Sequence, residues 1–482
     1  MTRWTGVVGV VCSVIAVVPA HAQQTTGGPA APALGGAPDG TRTGAVSGRS
    51  DAQPLVLPAV SFAPLPSGEV EATGLSVVGG LAPVGGLAGA VPGETRFNPN
   101  PALPLPSEAL GTGVIPAGAA GVPLGPMYLY PTLGVSFGYN DNPSGTSGGG
   151  SSTFWGLSPR LVAGGNTGTV SYALGYAGDI VRYADTPDYD FDTHQFTASA
   201  SSALNARTDV RGLTYFMLGA DTNGSVDREV FETQRWRGLG ALGTIGYGAA
   251  GATGRVEFDL GVTDKSYDDA DVAATQDVTT LTAVGRFLYR VAPRTQLLTE
   301  LGYTGFDYAD AAASTRDSAE TSFRVGALWN ITAITSGSVR IGVINKQFDN
   351  PAIDDYTGPD FALALNWMPR TYSTVGLFAN ARPVDSTGFG DYKLSRVIGG
   401  NWTHTWTSQI ASRAFLSYRM EEYEGVGVSR EDDTTAIGLG LVYTMRRWMR
   451  FGAQWVNEDR DSTDSDFTFR RNVYSLTAGF SL

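Results

Sequence analysis

From about Met127 to Leu482 one pattern recurs: apolar residues alternate with small or polar ones, segment after segment. In "YPTLGVSFGYNDN", Leu133, Val135, Phe137 and Tyr139 fall on one face, with Gly134, Ser136, Gly138 and Asn140 on the other. "RVEFDLGVTDK" sets Val256, Phe258, Leu260 and Val262 against Arg255, Glu257 and Asp259. "SFRVGALWN" and "TTAIGLGLVYT" repeat the alternation. About 18 such segments can be counted, centred near residues 135, 159, 175, 200, 214, 242, 260, 286, 301, 326, 342, 364, 377, 399, 415, 440, 453 and 477. Their connections alternate as well. "GGNTGT", "NARTD", "VAPR" and "WTSQ" are short, whereas "ADTPDYDFDTH", "YDDADVAATQD", "DYADAAASTRDSAE", "EEYEGVGVSREDD" and "NEDRDSTDSD" are long and acidic.

A soluble sandwich has no reason to alternate short and long turns. A membrane-spanning barrel does, because its turns on one side are short and its loops on the other are long. Lipid leaves backbone groups no partner, so only helices and closed barrels cross it. Past the first residues no apolar run is long enough for a helical span. The expected fold is therefore an all-β, transmembrane, antiparallel up-and-down barrel of about 18 strands over residues 127–482. The last segment, "VYSLTAGFSL", puts Tyr474, Leu476, Ala478, Phe480 and Leu482 on one face. It is expected to pair with the first strand and remove the sheet's edges.

The N-terminal part reads differently. Arg3, the apolar run "GVVGVVCSVIAVV" and the small-residue site Ala20–His21–Ala22 read as a secretory signal over residues 1–22. Residues 23–126 are rich in Ala, Gly and Pro, with Phe62 and Phe97 as their only aromatics. Such a stretch buries too little apolar surface to offset its ordering entropy, so a disordered periplasmic leader is expected. Cys12, the only cysteine, would leave with the signal. With His194 and His404 the only histidines after it, a Cys or His metal site is not expected. No cofactor is implied.

"LYPTLGVSFGYNDN", after a Pro/Gly-rich leader, resembles the opening strand of the putative β-barrel porin 2 family, and the resemblance covers residues 127–482. The aromatic–Asp–Asn step at Tyr139–Asn142 carries an inserted Asn140. The resemblance implies an outer-membrane porin of Gram-negative bacteria, tied to exopolysaccharide or capsule export, and brings no catalytic residues. Partners expected on this reading are outer-membrane lipids, the barrel-assembly machinery during insertion, a polysaccharide and periplasmic export components. A net charge of −13 argues against nucleic acid.

If the apolar face meets lipid, the other face lines the lumen. Strand-by-strand parity then places Arg160, Arg255, Lys265, Arg286, Arg290, Arg324, Arg340, Lys346, Arg413, Arg419 and Arg450 inward, with Asp179, Glu257, Asp259, Glu300, Glu421 and Glu458. Eleven bases against six acids would favour anions in the lumen and leave the negative excess to the outer loops. The competing reading is that these charges pair and brace the inner wall, as Arg255 beside Glu257 suggests. The function expected is passive conduction of an anionic exopolysaccharide. The alternatives are a general diffusion porin, or a plugged structural or adhesive barrel. Trp329, Trp367, Trp402, Trp406, Tyr443 and Trp455 are expected in interfacial girdles.

Three motif matches carry less. "GVSFG" around Ser136 and "GLGALG" at Gly238–Gly243 sit inside strands with no helix following. "DYDFD" (Asp188, Asp190, Asp192) lacks the glycine and closing glutamate of a calcium loop. Barrel hydrolases need a histidine paired with Asp or Ser, and only His194, beside Asp192, has a suitable address. An enzyme is not expected.

Overall fold

The computed structural model describes residues 121–482 except 222–226, 228–232, 250, 310–315, 333 and 426. The expected signal and nearly all of the expected leader lie outside the described residues.

Nineteen strands follow in order: β1 Val122–Leu124, β2 Met127–Asn140, β3 Ser152–Asn166, β4 Val170–Tyr183, β5 Phe191–Ala203, β6 Thr208–Asp221, β7 Gln234–Tyr247, β8 Gly254–Tyr267, β9 Val278–Ala292, β10 Thr295–Tyr308, β11 Ser318–Thr332, β12 Thr335–Phe348, β13 Tyr356–Arg370, β14 Ser373–Asp385, β15 Tyr392–Thr405, β16 Ile410–Glu424, β17 Arg430–Arg446, β18 Met449–Ser462 and β19 Phe469–Ser481. Strands β2 to β19 pair antiparallel with their sequence neighbours. β19 pairs back onto β2 from Val473↔Asn140 to Ser481↔Thr132, which closes an 18-stranded barrel. Every one of the eighteen segment centres expected from sequence falls inside a barrel strand. β1 was not expected. It precedes the anticipated boundary at Met127 and folds back on β2 at Val122↔Leu129.

The connections sort by length as expected, from two to six residues at one end and from five to twelve at the other. An even strand number puts both ends of the barrel on the short-turn side, the periplasmic side in such barrels. Several long loops are nonetheless shorter than the sequence suggested. Glu421–Glu424 and Arg430–Asp433 belong to strands β16 and β17, and Asn457–Ser462 belongs to β18. A stave of 14 residues is about 45 Å long and, tilted by about 40°, rises about 35 Å, so it overshoots an apolar band of about 25 Å. The acidic stretches form these overshooting staves.

Residue parity matches the two environments. Phe137, Leu301, Ile341 and Leu476 are 59–63% exposed on the outer face. The alternate positions are buried on the inner face, as at Leu298, Glu300, Thr304, Phe306 and Tyr308 along β10. Near the short turns Tyr247, Tyr289, Trp367, Trp402, Tyr443 and Trp448 are exposed, an aromatic girdle at that interface. Trp406 joins them from its turn, where its ring lies 4.2 Å from that of His404. Trp329 is half-buried at the same end, whereas Trp455 sits mid-strand and donates to Asn472 at 3.3 Å.

The seam that closes the barrel is clamped at its outer end. Asp141 accepts from the Asn472 backbone N–H at 2.6 Å and from its side-chain amide at 2.8 Å. The Asn142 amide donates to the carbonyls of Thr146 and Arg470 at 2.8 and 3.1 Å. Asn140, buried, donates to the Tyr183 hydroxyl at 3.3 Å. The Tyr139–Asn142 step therefore ties first strand to last.

Candidate functional site

The inner wall carries an unbroken ladder of ion pairs from β6 to β13. Arg255 bridges Asp209 (2.7 Å) and Glu257 (2.8 Å), and Arg211 reaches Glu257 at 3.0 Å. Arg286 is the hub. It contacts Glu257 at 3.1 Å, Asp259 at 2.9 Å and Glu300 at 2.9 Å. Arg324 continues from Glu300 (2.9 Å) to Asp360, to which its Nε donates at 2.6 Å. Arg340, fully buried, lies in the same stretch of wall.

Glycine makes this reach feasible. Arg255 and Asp209 are two strands apart, with β7 between them, where Gly246 pairs with Asp209 on one side and Glu257 on the other. A Cβ on Gly246 would collide with the Arg255 guanidinium. Arg324 and Asp360 are likewise separated by β12, where Gly342 pairs with both. A Cβ there would meet the Phe323 carbonyl and lie 2.8 Å from the Arg324 Cα. A guanidinium fork, with donors on both sides of its axis, can hold carboxylates on both sides of such a trough.

Three further nodes occupy the outer end. In the first, Asp221 accepts from Trp236 Nε1 (2.9 Å) and the Tyr267 hydroxyl (2.6 Å), with Lys265 Nζ at 3.5 Å. In the second, Lys346 pairs with Asp385 (2.7 Å) and Glu320 (3.3 Å), and Arg382 with Glu320 (3.0 Å). Arg316 donates there to the Tyr308 hydroxyl at 3.0 Å and to the Ser386 carbonyl at 2.5 Å. The third centres on Asp227, from the connection between β6 and β7. It accepts from Lys393 (2.9 Å), the Tyr423 hydroxyl (2.8 Å) and the Thr387 N–H (3.1 Å), while Arg430 donates to its carbonyl at 3.0 Å. In an 18-stave ring β15 and β16 lie diametrically opposite β6 and β7, so Asp227 is anchored to the facing wall. Burial alone would raise the Asp227 carboxyl, but Lys393 and the hydrogen bonds from Thr387 and Tyr423 hold it far below the usual carboxylate range.

The residues singled out from sequence are thus distributed unevenly. Arg255, Arg286, Arg324 and Arg340 lie in the ladder, and Lys265 and Lys346 in outer nodes. Arg160 pairs with Asp179 at 3.6 Å. Arg413 and Arg419 are buried, and Arg450 is half-buried. Arg290 stands apart: it donates to the carbonyls of Ala252 and Pro293 beside the short turns. The eleven-to-six excess of bases does not describe the wall. Arg211, Arg382, Lys393, Arg430, Arg460 and Arg471 are inward too, and so are Asp209, Asp221, Glu320, Asp360, Asp385 and Asp432. Most of these sit at outer strand ends. The signal that finds them is the period of two continuing past the apolar residues, as in the buried–exposed alternation from Arg430 through Thr434.

The weaker motifs resolve simply. Ser136 is buried mid-strand. Of the "DYDFD" carboxylates, Asp190 accepts from the Tyr183 N–H at 2.7 Å and Asp192 pairs with Arg182 at 2.7 Å. Among the described residues no group of three or more His, Cys, Asp or Glu could hold a metal ion. His194 contacts the Tyr176 hydroxyl at 3.0 Å.

Solved structures similar to this chain include OccK2 (OpdF) of Pseudomonas aeruginosa, at 12% identity and TM-score 0.43, covering 74% of this chain and 97% of that one. A BenF-like porin from Pseudomonas fluorescens Pf-5 gives 13%, 0.42, 74% and 99%. The FrpB iron transporter from Neisseria meningitidis gives 11%, 0.41, 70% and 64%. No curated protein matches the chain. The family described as putative beta-barrel porin 2 matches residues 115–481, spanning the whole closed barrel, and the chain belongs to that family of outer-membrane porins.

Proposed function

We propose that the barrel is a passive channel for small hydrophilic solutes with little preference between anions and cations. The observation that supports this is the ladder itself. From Asp209 to Asp360 each arginine with a resolved ion pair shares its charge with one to three carboxylates. A wall of closely paired charges presents short-range dipoles rather than a net positive field, and beyond a Debye length of about 10 Å in 0.1 M salt that field is screened. Polar solutes then find many donors and acceptors and no deep well. The test is the reversal potential of the purified protein in a planar bilayer under a salt gradient. A permeability ratio within about threefold of unity is expected, and strong selectivity for either sign would overturn the reading.

Export of an anionic exopolysaccharide is the second reading, favoured by exposed arginines at the short-turn mouth: Arg207, Arg370, Arg446 and Arg447. These would gather a polyanion from the periplasm. It requires that uronate oligomers added on the short-turn side block the current. Failure to block at millimolar concentration would remove it.

A further inference from the structure

The two ends of the barrel carry opposite charge. Among the described residues, the nine long connections hold many carboxylates, including Asp185, Asp188, Asp268, Asp271, Asp354 and Asp464, and a single cation, Arg316. The eight short connections hold no carboxylate among their described residues, and they carry Arg207, Arg294 and Arg447. Arg370 and Arg446, at the strand ends beside them, are exposed. Between the ends lies the paired ladder. The long-loop mouth is therefore negative and the short-turn mouth positive.

We infer that this polarity makes the channel rectify, passing anions outward and cations inward more readily than the reverse. Each mouth enriches its counter-ion: anions at the arginine end, cations at the carboxylate end. A voltage positive on the long-loop side drives both enriched species toward the charge-paired middle, where carriers accumulate and conductance rises. The opposite voltage draws both away and depletes the middle. The Debye length is about 30 Å at 0.01 M salt and about 3 Å at 1 M, so the effect belongs to dilute media. It acts on small ions and on short charged solutes alike, and under an applied potential it passes an anionic solute outward more readily than inward. The inference rests on the proposal that the lumen conducts.

The test is the current–voltage curve of the full-length protein in a planar bilayer. Orientation is fixed with Ser408→Cys, in a short turn, in a Cys12→Ser background, using a membrane-impermeant thiol reagent added to one chamber. In about 20 mM KCl the current at about 100 mV should be at least about twofold larger with the long-loop side positive, and near symmetric in about 1 M KCl. The variant Arg207→Gln, Arg370→Gln, Arg446→Gln, Arg447→Gln should lower the ratio in dilute salt and leave conductance in 1 M KCl unchanged. A symmetric curve in dilute salt, the opposite sign, or a ratio untouched by that variant overturns the inference while the channel reading stands. Absence of current even in 1 M KCl overturns both.

Discussion

Replacing Arg286 by methionine tests whether the ladder holds the wall together. Methionine keeps an unbranched stem and loses the guanidinium, so packing changes little and charge changes fully. The three carboxylates it serves are affected differently. Glu257 keeps Arg211 at 3.0 Å and Arg255 at 2.8 Å, and Glu300 keeps Arg324 at 2.9 Å. Asp259 has no second cation among the described residues. The variant therefore strands one buried carboxylate, a lesion that costs about 3–5 kcal/mol. Converting the stranded group as well, in Arg286→Met with Asp259→Asn, should restore about 2 kcal/mol, the coupling expected of residues in direct contact. The assay is equilibrium urea unfolding of the protein in lipid vesicles, followed by tryptophan fluorescence. A single variant that loses less than about 1 kcal/mol, or a double variant no more stable than the single, would refute the reasoning. Ion selectivity gives an independent readout, since an unpaired Asp259 should shift the Arg286→Met channel toward cations and the double variant should shift it back.

Gly342→Val places branched carbons against the Phe323 carbonyl and the Arg324 Cα, neither of which can retreat, and should cost about 1–3 kcal/mol in the same unfolding assay. Asp227→Ala removes the acceptor shared by Lys393, Tyr423 and Thr387 but leaves Lys393 on Glu421 (2.7 Å) and Arg430 on Asp432, so the same assay should show a loss of about 1–3 kcal/mol. Acid should not undo that anchor. The depressed Asp227 carboxyl contributes stability that is complete above the unfolded value near 3.9 and is lost only as the pH falls below it. Asp277 and Asp317, raised chiefly by burial, hold a proton better in the folded loops than in the unfolded chain, so mild acid favours those loops. Hydrogen exchange of the outer connections, corrected for intrinsic rate, should therefore show no loosening between pH 7 and about pH 5; faster exchange at pH 5 would contradict these assignments.

The strands were legible in the sequence because one face meets lipid and the other does not. A period of two is all that such a wall requires, and it located even the segments near residues 326, 342, 364 and 377. The outer ends were harder to read. There, both faces of an overshooting stave are polar, so Glu421–Glu424 and Arg430–Asp433 looked like loop although they are paired strand. The same blind spot hid Lys393, Arg430 and Asp432 from the list of inward charges. Asp227 was beyond reach for a different reason. Its partners lie 160 to 203 positions away, across the ring from its own strands, and no local pattern encodes that meeting.

The near absence of lysine takes on a physical meaning once its three positions are placed. Lys265, Lys346 and Lys393 are all inward, buried and near the long-loop end, and each ammonium touches a carboxylate while lying over an aromatic ring: Trp236 at 4.6 Å, Phe306 at 4.2 Å and Tyr423 at 5.5 Å. A compact point charge suits such a cage. Mid-wall, the cation must instead span from one carboxylate to another across a neighbouring strand, as Arg324 does from Glu300 to Asp360 over Gly342. A planar fork with donors on both sides suits that geometry, and a bare backbone beneath leaves room for it. A genome rich in GC would also raise arginine and glycine together, but it would not place a glycine beneath the reaching arginine at both Gly246 and Gly342. At Gly246 and Gly342, glycine and arginine work as one device: a thin wall whose charges are paired across strands.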